Sequence, residues 1–361
     1  MNRYLLNRVT VEKMYVMKLR YFFFLVLLLL VKAISAQNNG VGLSAYRLPL
    51  NKKGAKIAEP FNTKGGGLKL KIIDDPARLF RVKNNALYLK KNRKISEKDP
   101  SLAYPLKFSV DGVVVTAELV ADRFIKNKVI AHRGAWKNQQ VSQNSLGSLR
   151  KAIELGCEGA EFDVWLSADG IPVISHDASI GGYVVENTAA AQVLNVPLMA
   201  GEFVPSLEQY LQLGKTQNST TLVLEIKPSA KGKAAMITTV DSVMSMVTRH
   251  HAQGWVKYIS FSYDALLRIR ELDPFADISY LTGDKTVEEV KKDGLSGIDY
   301  SFYSYEGDTN LVRKAHALGL TVNVWTVNDT GKLQRFLKEG VDMITTDEPE
   351  LLLKMIKEQA N

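Results

Sequence analysis

Cysteine is almost absent from this chain, with one residue, Cys157, in 361. A single thiol excludes an internal disulfide framework and any metal site built on cysteine. Cys157 falls between a helical run and a strand, where a small buried side chain is the simplest reading. Histidine is scarce too, five residues in all. His250 and His251 close a helical run, where cations suit the helix dipole, and His316 lies in another such run, so only two remain as candidates for chemistry. No glycine-rich nucleotide loop, serine nucleophile elbow or nucleic-acid-binding module is present. Nucleotide chemistry, serine-hydrolase chemistry and nucleic-acid partners are therefore set aside. No cysteine directly follows the long apolar run near the N-terminus, which excludes a lipid anchor of the bacterial type.

That run, YFFFLVLLLLV at 21–31, follows Lys18 and Arg20 and precedes Ser35, Ala36 and Gln37. The series is charged, then apolar, then cleavable, and the apolar part is short for a membrane span. It predicts a signal peptide over 1–36, cleaved after Ala36, and a secreted or periplasmic mature protein. An uncleaved signal anchor is the alternative. Met17 would give a more usual start for such a signal.

The hydrophobic content of 46% is ordinary for a globular protein, and the length leaves room for one large or two modest domains. The net charge of +9 is unevenly spread. Residues 37–125 carry seventeen Lys/Arg against eight Asp/Glu, whereas 126–361 carry twenty-four against twenty-nine. The basic excess suggests contact of 37–125 with an anionic surface; a merely solvated lysine-rich domain is the plainer alternative.

Residues 46–125 alternate in the manner of strands, as in Leu68, Leu70 and Ile72 against Lys69 and Lys71, with no helical period. This predicts a small all-β sandwich over 37–125. From 126 to 361, strand-like runs alternate with helical ones, the pattern of a (β/α)8 barrel. The strands begin near Val129, Ala160, Ile171, Thr221, Lys257, Ile278, Gly297, Thr321 and Val341, one too many for eight. Only five residues separate Trp165 from Ile171, too few for a parallel crossover. The run 171–175 must therefore return antiparallel, and it carries His176 back toward strand two.

The polar groups that such a barrel would gather are concentrated between Val129 and Asp177. His132 and Arg133 follow one strand-like run, and His176 and Asp177 close another. Glu161 and Asp163 stand two apart in a strand, so their side chains share a face and can hold one hard cation together. Downstream, Glu225 and Lys227 sit beside an apolar run, where charges are costly unless paired or metal-bound.

Taken jointly, His132-Arg133-Gly134, Glu161-Phe162-Asp163, His176-Asp177, Leu224-Glu225-Ile226-Lys227 and Val324-Trp325-Thr326-Val327-Asn328 resemble the motifs of the glycerophosphodiester phosphodiesterase family, over about 129–353. The resemblance implies metal-dependent hydrolysis of glycerophosphodiesters to glycerol 3-phosphate and an alcohol. It implies His132 and His176 as a general acid/base pair and Glu161, Asp163 and Glu225 as ligands of one divalent cation, Ca²⁺ or Mg²⁺. Arg133 and Lys227 would bind phosphate, Trp325 would pack on the glycerol or alcohol, and the substrate's own hydroxyl can serve as nucleophile. A lysophospholipase D activity on the same fold is the alternative within this class; a non-catalytic membrane- or carbohydrate-binding protein is the alternative outside it.

The chain departs from the family pattern twice. Ser142-Gln143-Asn144-Ser145 stands where Pro-Glu-Asn-Thr is usual, and Ala178–Tyr183 replaces an Arg-Thr-Thr segment bordering the pocket. Residues 79–112 also resemble, weakly, a cadherin-type repeat without its acidic calcium-linker motifs.

Overall fold

The computed structural model describes residues 40–359. The signal peptide expected over 1–36 lies outside the described residues. Nine strands fill the first stretch: Val41–Leu43 (β1), Arg47–Leu48 (β2), Lys56–Ala58 (β3), Pro60–Asn62 (β4), Leu70–Asp74 (β5), Phe80–Lys83 (β6), Ala86–Leu89 (β7), Ala103–Val110 (β8) and Val113–Ala121 (β9). They form sheets in the orders β2-β9-β8-β5, β3-β7-β6 and β1-β4. Their inward side chains, among them Leu48, Leu87, Leu89, Phe108 and Leu119, share one apolar cluster. The region is β-rich, as its alternation predicted.

The barrel follows. Its strands are Val129–Ala131 (β10), Gly159–Leu166 (β11), Pro172–Ile174 (β12), Thr221–Ile226 (β15), Val256–Ser260 (β16), Ile278–Tyr280 (β17), Gly297–Ser301 (β18), Thr321–Trp325 (β19) and Met343–Thr346 (β20); a small hairpin, Ser179–Ile180 (β13) with Tyr183–Val184 (β14), lies between. Eight parallel strands close on themselves through the β10–β11 pairing. The ninth, β12, pairs antiparallel with β11, Trp165 opposite Val173, so the hairpin is as expected. Every residue of β15 is buried, as the covered faces of a parallel barrel require.

Alternation sorts the side chains of each strand. Phe162, Val164, Leu224 and Ile226 point outward into the main core beneath the helices. Ile130, Val223, Ile259, Leu281 and Met343 fill the barrel interior. Above the latter, at the C-terminal strand ends, the inward positions turn polar. The helix Leu146–Leu155, which follows the first strand, starts at a capping box made by Ser145 and Ser148 and ends at Gly156 in the left-handed region.

The β-rich region packs on the opposite, N-terminal end of the barrel. Arg47 Nε donates to the Gly254 carbonyl at 2.8 Å, and the guanidinium lies 3.7 Å from the Phe124 ring centre. Asn218 Nδ2 donates to the Ala121 carbonyl at 2.9 Å. Lys215 Nζ pairs with Glu118 at 3.0 Å. The approach is close enough that a Cβ at Gly254 would meet Val120 at 2.6 Å and the Tyr46 carbonyl oxygen at 2.9 Å.

Candidate active site

Three inward carboxylates converge where the polar layer begins. Glu161 and Asp163 come from β11 and Glu225 from β15, with Asp163 and Glu225 directly opposite in the parallel register. One oxygen of each lies within 4.8 Å of the others, and all three residues are buried. The expected convergence of the carboxylates is therefore found.

Each is held by a different neighbour. Glu161 accepts the Arg133 backbone N–H at 2.8 Å. Lys227 Nζ lies 2.8 Å from Asp163 Oδ1 and 2.9 Å from Glu225 Oε1. Asn144 donates to Asp163 Oδ2 at 2.7 Å and accepts the Asp163 backbone N–H at 3.1 Å.

One ammonium cannot neutralise three buried carboxylates. Burial and the charges of Asp163 and Glu225 drive the Glu161 pKa well above the usual carboxylate range. Burial and Asp163 push Glu225 up to about 8. Asp163 is also pushed up by burial, but Lys227 and Asn144 outweigh that, and its pKa ends below the ordinary value. Burial pulls Lys227 down, while Asp163 and Glu225 more than reverse the effect. The donor set is all oxygen, and two of its carboxylates are hard to ionise without added positive charge. Both facts fit a hard divalent cation.

The histidines are placed otherwise than expected. His132 Nδ1 meets Asp347 Oδ1 at 2.7 Å, and Asn328 Nδ2 donates to Asp347 Oδ2 at 2.7 Å. His176 Nδ1 meets Asp177 Oδ1 at 2.8 Å. Their side chains are 18% and 34% exposed, at the rim of the pocket. The reading of a His/His acid–base pair as the reacting centre is thus corrected. What the barrel gathers at its centre is a Glu/Asp/Glu cluster, and each histidine stands beside it with one ring nitrogen engaged by its own aspartate.

Arg133 has a backbone φ of 57°, and its Nη1 donates to Gln143 Oε1 at 2.7 Å. Gln143 thus anchors the arginine through a neutral acceptor. Trp325 ends β19; its indole N–H donates to the Asp299 carbonyl at 2.7 Å, and its ring packs edge-on against Phe261 at 5.4 Å.

A cavity of about 100 Å³ brings together His132, Arg133, Glu161, His176, Glu225, Lys227 and Trp325, with Ile259, Phe261 and Leu281 as its apolar wall. Asp163 is not among its lining residues. A second cavity of about 290 Å³ shares His176 and is bordered by Trp136, Val141, Gln143, Ile180, Leu198 and Met199. The β13–β14 hairpin, with Ile180, therefore borders a pocket, as its position after His176 suggested. Asn144, Asp299 and the Asn328–Asp347 pair were given no role from sequence, although Asn328 and Asp347 fall in segments that match the family. Asn144 carried a faint signal, because Asn adopts the left-handed conformation, here φ 54°, more readily than most residues.

Fold and site define a (β/α)8 barrel with a buried carboxylate cluster at the C-terminal strand ends that could hold a divalent cation. Residues 132–351 match the model of the glycerophosphoryl diester phosphodiesterase family. The chain belongs to this family, and it is a phosphoric diester hydrolase of that class. It is 28% identical over 247 residues to the glycerophosphodiester phosphodiesterase of Caldanaerobacter subterraneus subsp. tengcongensis, covering 64% of this chain and 99% of that one. Among solved structures it resembles a glycerophosphodiester phosphodiesterase from Parabacteroides distasonis, with 36% identity, a TM-score of 0.64, and coverage of 66% of this chain and 100% of the other. A phosphodiesterase of Oleispira antarctica, solved with the product sn-glycerol-3-phosphate, aligns at 26% identity and a TM-score of 0.57 over 64% of this chain and 96% of the other. The family match begins at His132, so the β-rich region lies outside it, and the cadherin-type repeat expected over 79–112 finds no support.

Proposed function

We propose that this protein hydrolyses glycerophosphodiesters to glycerol 3-phosphate and an alcohol at a divalent cation held by Glu161, Asp163 and Glu225. The observation that carries this reading is the buried carboxylate cluster at the mouth of the barrel. A bound cation would supply Lewis-acid charge neutralisation for the phosphodiester and its attacking oxygen. Ca²⁺ and Mg²⁺ both suit an all-oxygen donor set.

The chain's own groups do the rest. Lys227 holds Asp163 and Glu225 in place and presents its remaining N–H groups to a phosphate oxygen. Arg133, steadied by Gln143, offers a planar fork of donors to the same anion. Trp325 and Phe261 wall off one side of the pocket and exclude water from it. The cavity beside Trp325 is about 100 Å³, which suits a free glycerol arm better than an acylated one and so favours glycerophosphodiesters over lysophospholipids. The alcohol then lies toward the larger cavity beyond His176.

The barrel carries all of these groups, and the β-rich region none. We assign to that region, with its basic excess, contact with an anionic surface, and to the mature protein a secreted or periplasmic location after loss of 1–36. The test is release of glycerol 3-phosphate from a panel of glycerophosphodiesters with and without a chelator. Chelator-sensitive release is expected; a panel on which no diester is cleaved at any cation concentration would overturn the reading.

A further inference from the structure

Asp299 is a buried carboxyl that the cation centre does not use. It sits mid-strand in β18, and in the closed barrel that strand lies four places from β11 in either direction, facing the carboxylate wall across the interior. Its neighbours Ile298 and Tyr300 point outward into the main core, which turns Asp299 inward. The residue is 2% exposed, yet it lines the same cavity as Glu161, Glu225 and Trp325. Its Oδ1 has no hydrogen-bond donor. The side chain of Asn323, its register partner on β19, hydrogen-bonds the Asp299 carboxyl and also donates to Thr345 Oγ1 at 2.8 Å, so Oδ1 is the oxygen left without a donor.

A buried carboxyl oxygen without a donor is costly and rarely kept without a use. One side of the cavity is apolar, made of Ile259, Phe261 and Leu281, and the Trp325 indole is pinned to the Asp299 backbone. A ligand arm lying along that side meets Asp299, with the hydroxyl-bearing Thr326 and Thr345 also in the lining.

We propose that Asp299 is a specificity-determining residue that hydrogen-bonds a hydroxyl of the substrate's glycerol arm in this cavity. This rests on the reading of the site as a glycerophosphodiesterase and names the group that would select the polyol. Burial pushes the Asp299 carboxyl up to about 7, so both protonation states are accessible near neutral pH. A hydroxyl satisfies either one, donating to the carboxylate or accepting from the acid. An acylated or deoxygenated arm does neither as well and leaves Oδ1 unpaired.

The test uses the full chain with its divalent cation present and two ligands with the same phosphate head. These are sn-glycerol 3-phosphate and n-propyl phosphate, the latter without hydroxyls, and affinity is read by calorimetry. The wild type should prefer the glycerol ester by roughly 10- to 100-fold, the span for a hydrogen bond to an ionisable group. Asp299→Leu should erase that preference while leaving propyl phosphate binding unchanged. It removes a buried carboxyl with one oxygen unpaired, and Asn323 keeps its bond to Thr345, so the variant should stay folded with a melting temperature close to that of the wild type. Asp299→Asn keeps the shape and one acceptor, and should retain a reduced preference.

A full preference surviving in both variants, or equal loss of both ligands, would overturn the proposal and leave Asp299 as a group met by internal water. An absent preference in the wild type would overturn it too. Failure of the functional reading shows separately, as a protein that cleaves no glycerophosphodiester whatever its ligand preference.

Discussion

Asn144 grips Asp163 twice: its side-chain amide donates to Oδ2 at 2.7 Å, and its side-chain oxygen accepts the Asp163 backbone N–H at 3.1 Å. The helix-entry loop is thereby fastened to the second barrel strand at the residue that also pairs with Lys227. Such outer contacts fix the orientation of a metal-binding carboxylate.

Removing this grip should weaken cation binding by roughly 10- to 100-fold. Asn144→Gly and Asn144→Ala both lose the amide. Of the two, only alanine is disfavoured at φ 54°, a left-handed conformation that asparagine and glycine adopt more readily, so it should lose stability as well. Calorimetric cation titration and thermal melting of the two variants separate these effects; unchanged cation affinity in both would remove Asn144 from the site.

Lys227→Met should cut turnover by about 10²-fold or more, since a charge-assisted contact to the reacting phosphate is lost. Cation affinity should hold or tighten, because the ammonium no longer competes for Asp163 and Glu225 at 2.8 and 2.9 Å. Steady-state kinetics at saturating cation, with calorimetry alongside, checks both halves.

The cation-free protein should lose stability as pH rises. Glu225 holds its proton up to about 8 in the folded chain against an ordinary 4.5, and Glu161 is shifted in the same direction. A carboxyl with a raised folded pKa favours the fold while protonated, and that advantage fades as pH climbs from about 4.5 to about 8. Asp163 is shifted downward, so its contribution changes only at more acid pH. Cation uptake must displace the protons of the two glutamates. Added Ca²⁺ or Mg²⁺ should therefore raise the melting temperature more near pH 8 than near pH 5; an equal rise at both would show that these glutamates do not bind the ion.

Much of this site was legible in the sequence because its residues sit in strands with a strict two-residue alternation. Glu161 and Asp163 could be assigned to one face before any coordinates, and the five-residue link to Ile171 forced the hairpin. The strand starts near Val129, Ala160, Thr221, Ile278, Gly297 and Thr321 agree with the structure to within a residue. The helix Phe302–Gly307 was missed, since its aromatic run has no helical period. Asp299 was missed for another reason. In a strand buried on both faces, an inward polar residue has the same pattern as an inward apolar one, and nothing local marks which face lines a cavity. The histidines misled because side-chain chemistry can be read from type and order, whereas which groups occupy the centre depends on how eight strands close.

Arg47 belongs to the β-rich region but ties down the far end of the barrel through the Gly254 carbonyl and Thr221 Oγ1, at 2.8 and 3.3 Å. Arg47→Ala should cost about 1.5–3 kcal/mol of stability, the usual range for hydrogen bonds to a charged group. KM on a soluble diester should stay unchanged, because the site lies at the opposite end. Chemical denaturation together with steady-state kinetics checks this, and a raised KM at full folding would mean that the β-rich region shapes the pocket.

The most direct test strips the protein of metal and follows glycerol 3-phosphate release from glycerophosphocholine as Ca²⁺ or Mg²⁺ is added back. Activity should be absent at the start and rise to saturation as one ion binds per chain. In Asp163→Asn and Glu225→Gln the curve should move to higher cation concentration with a lower plateau. Full turnover in the stripped wild type, or unshifted curves in both variants, would contradict the assignment of the Glu161, Asp163 and Glu225 cluster as the cation centre.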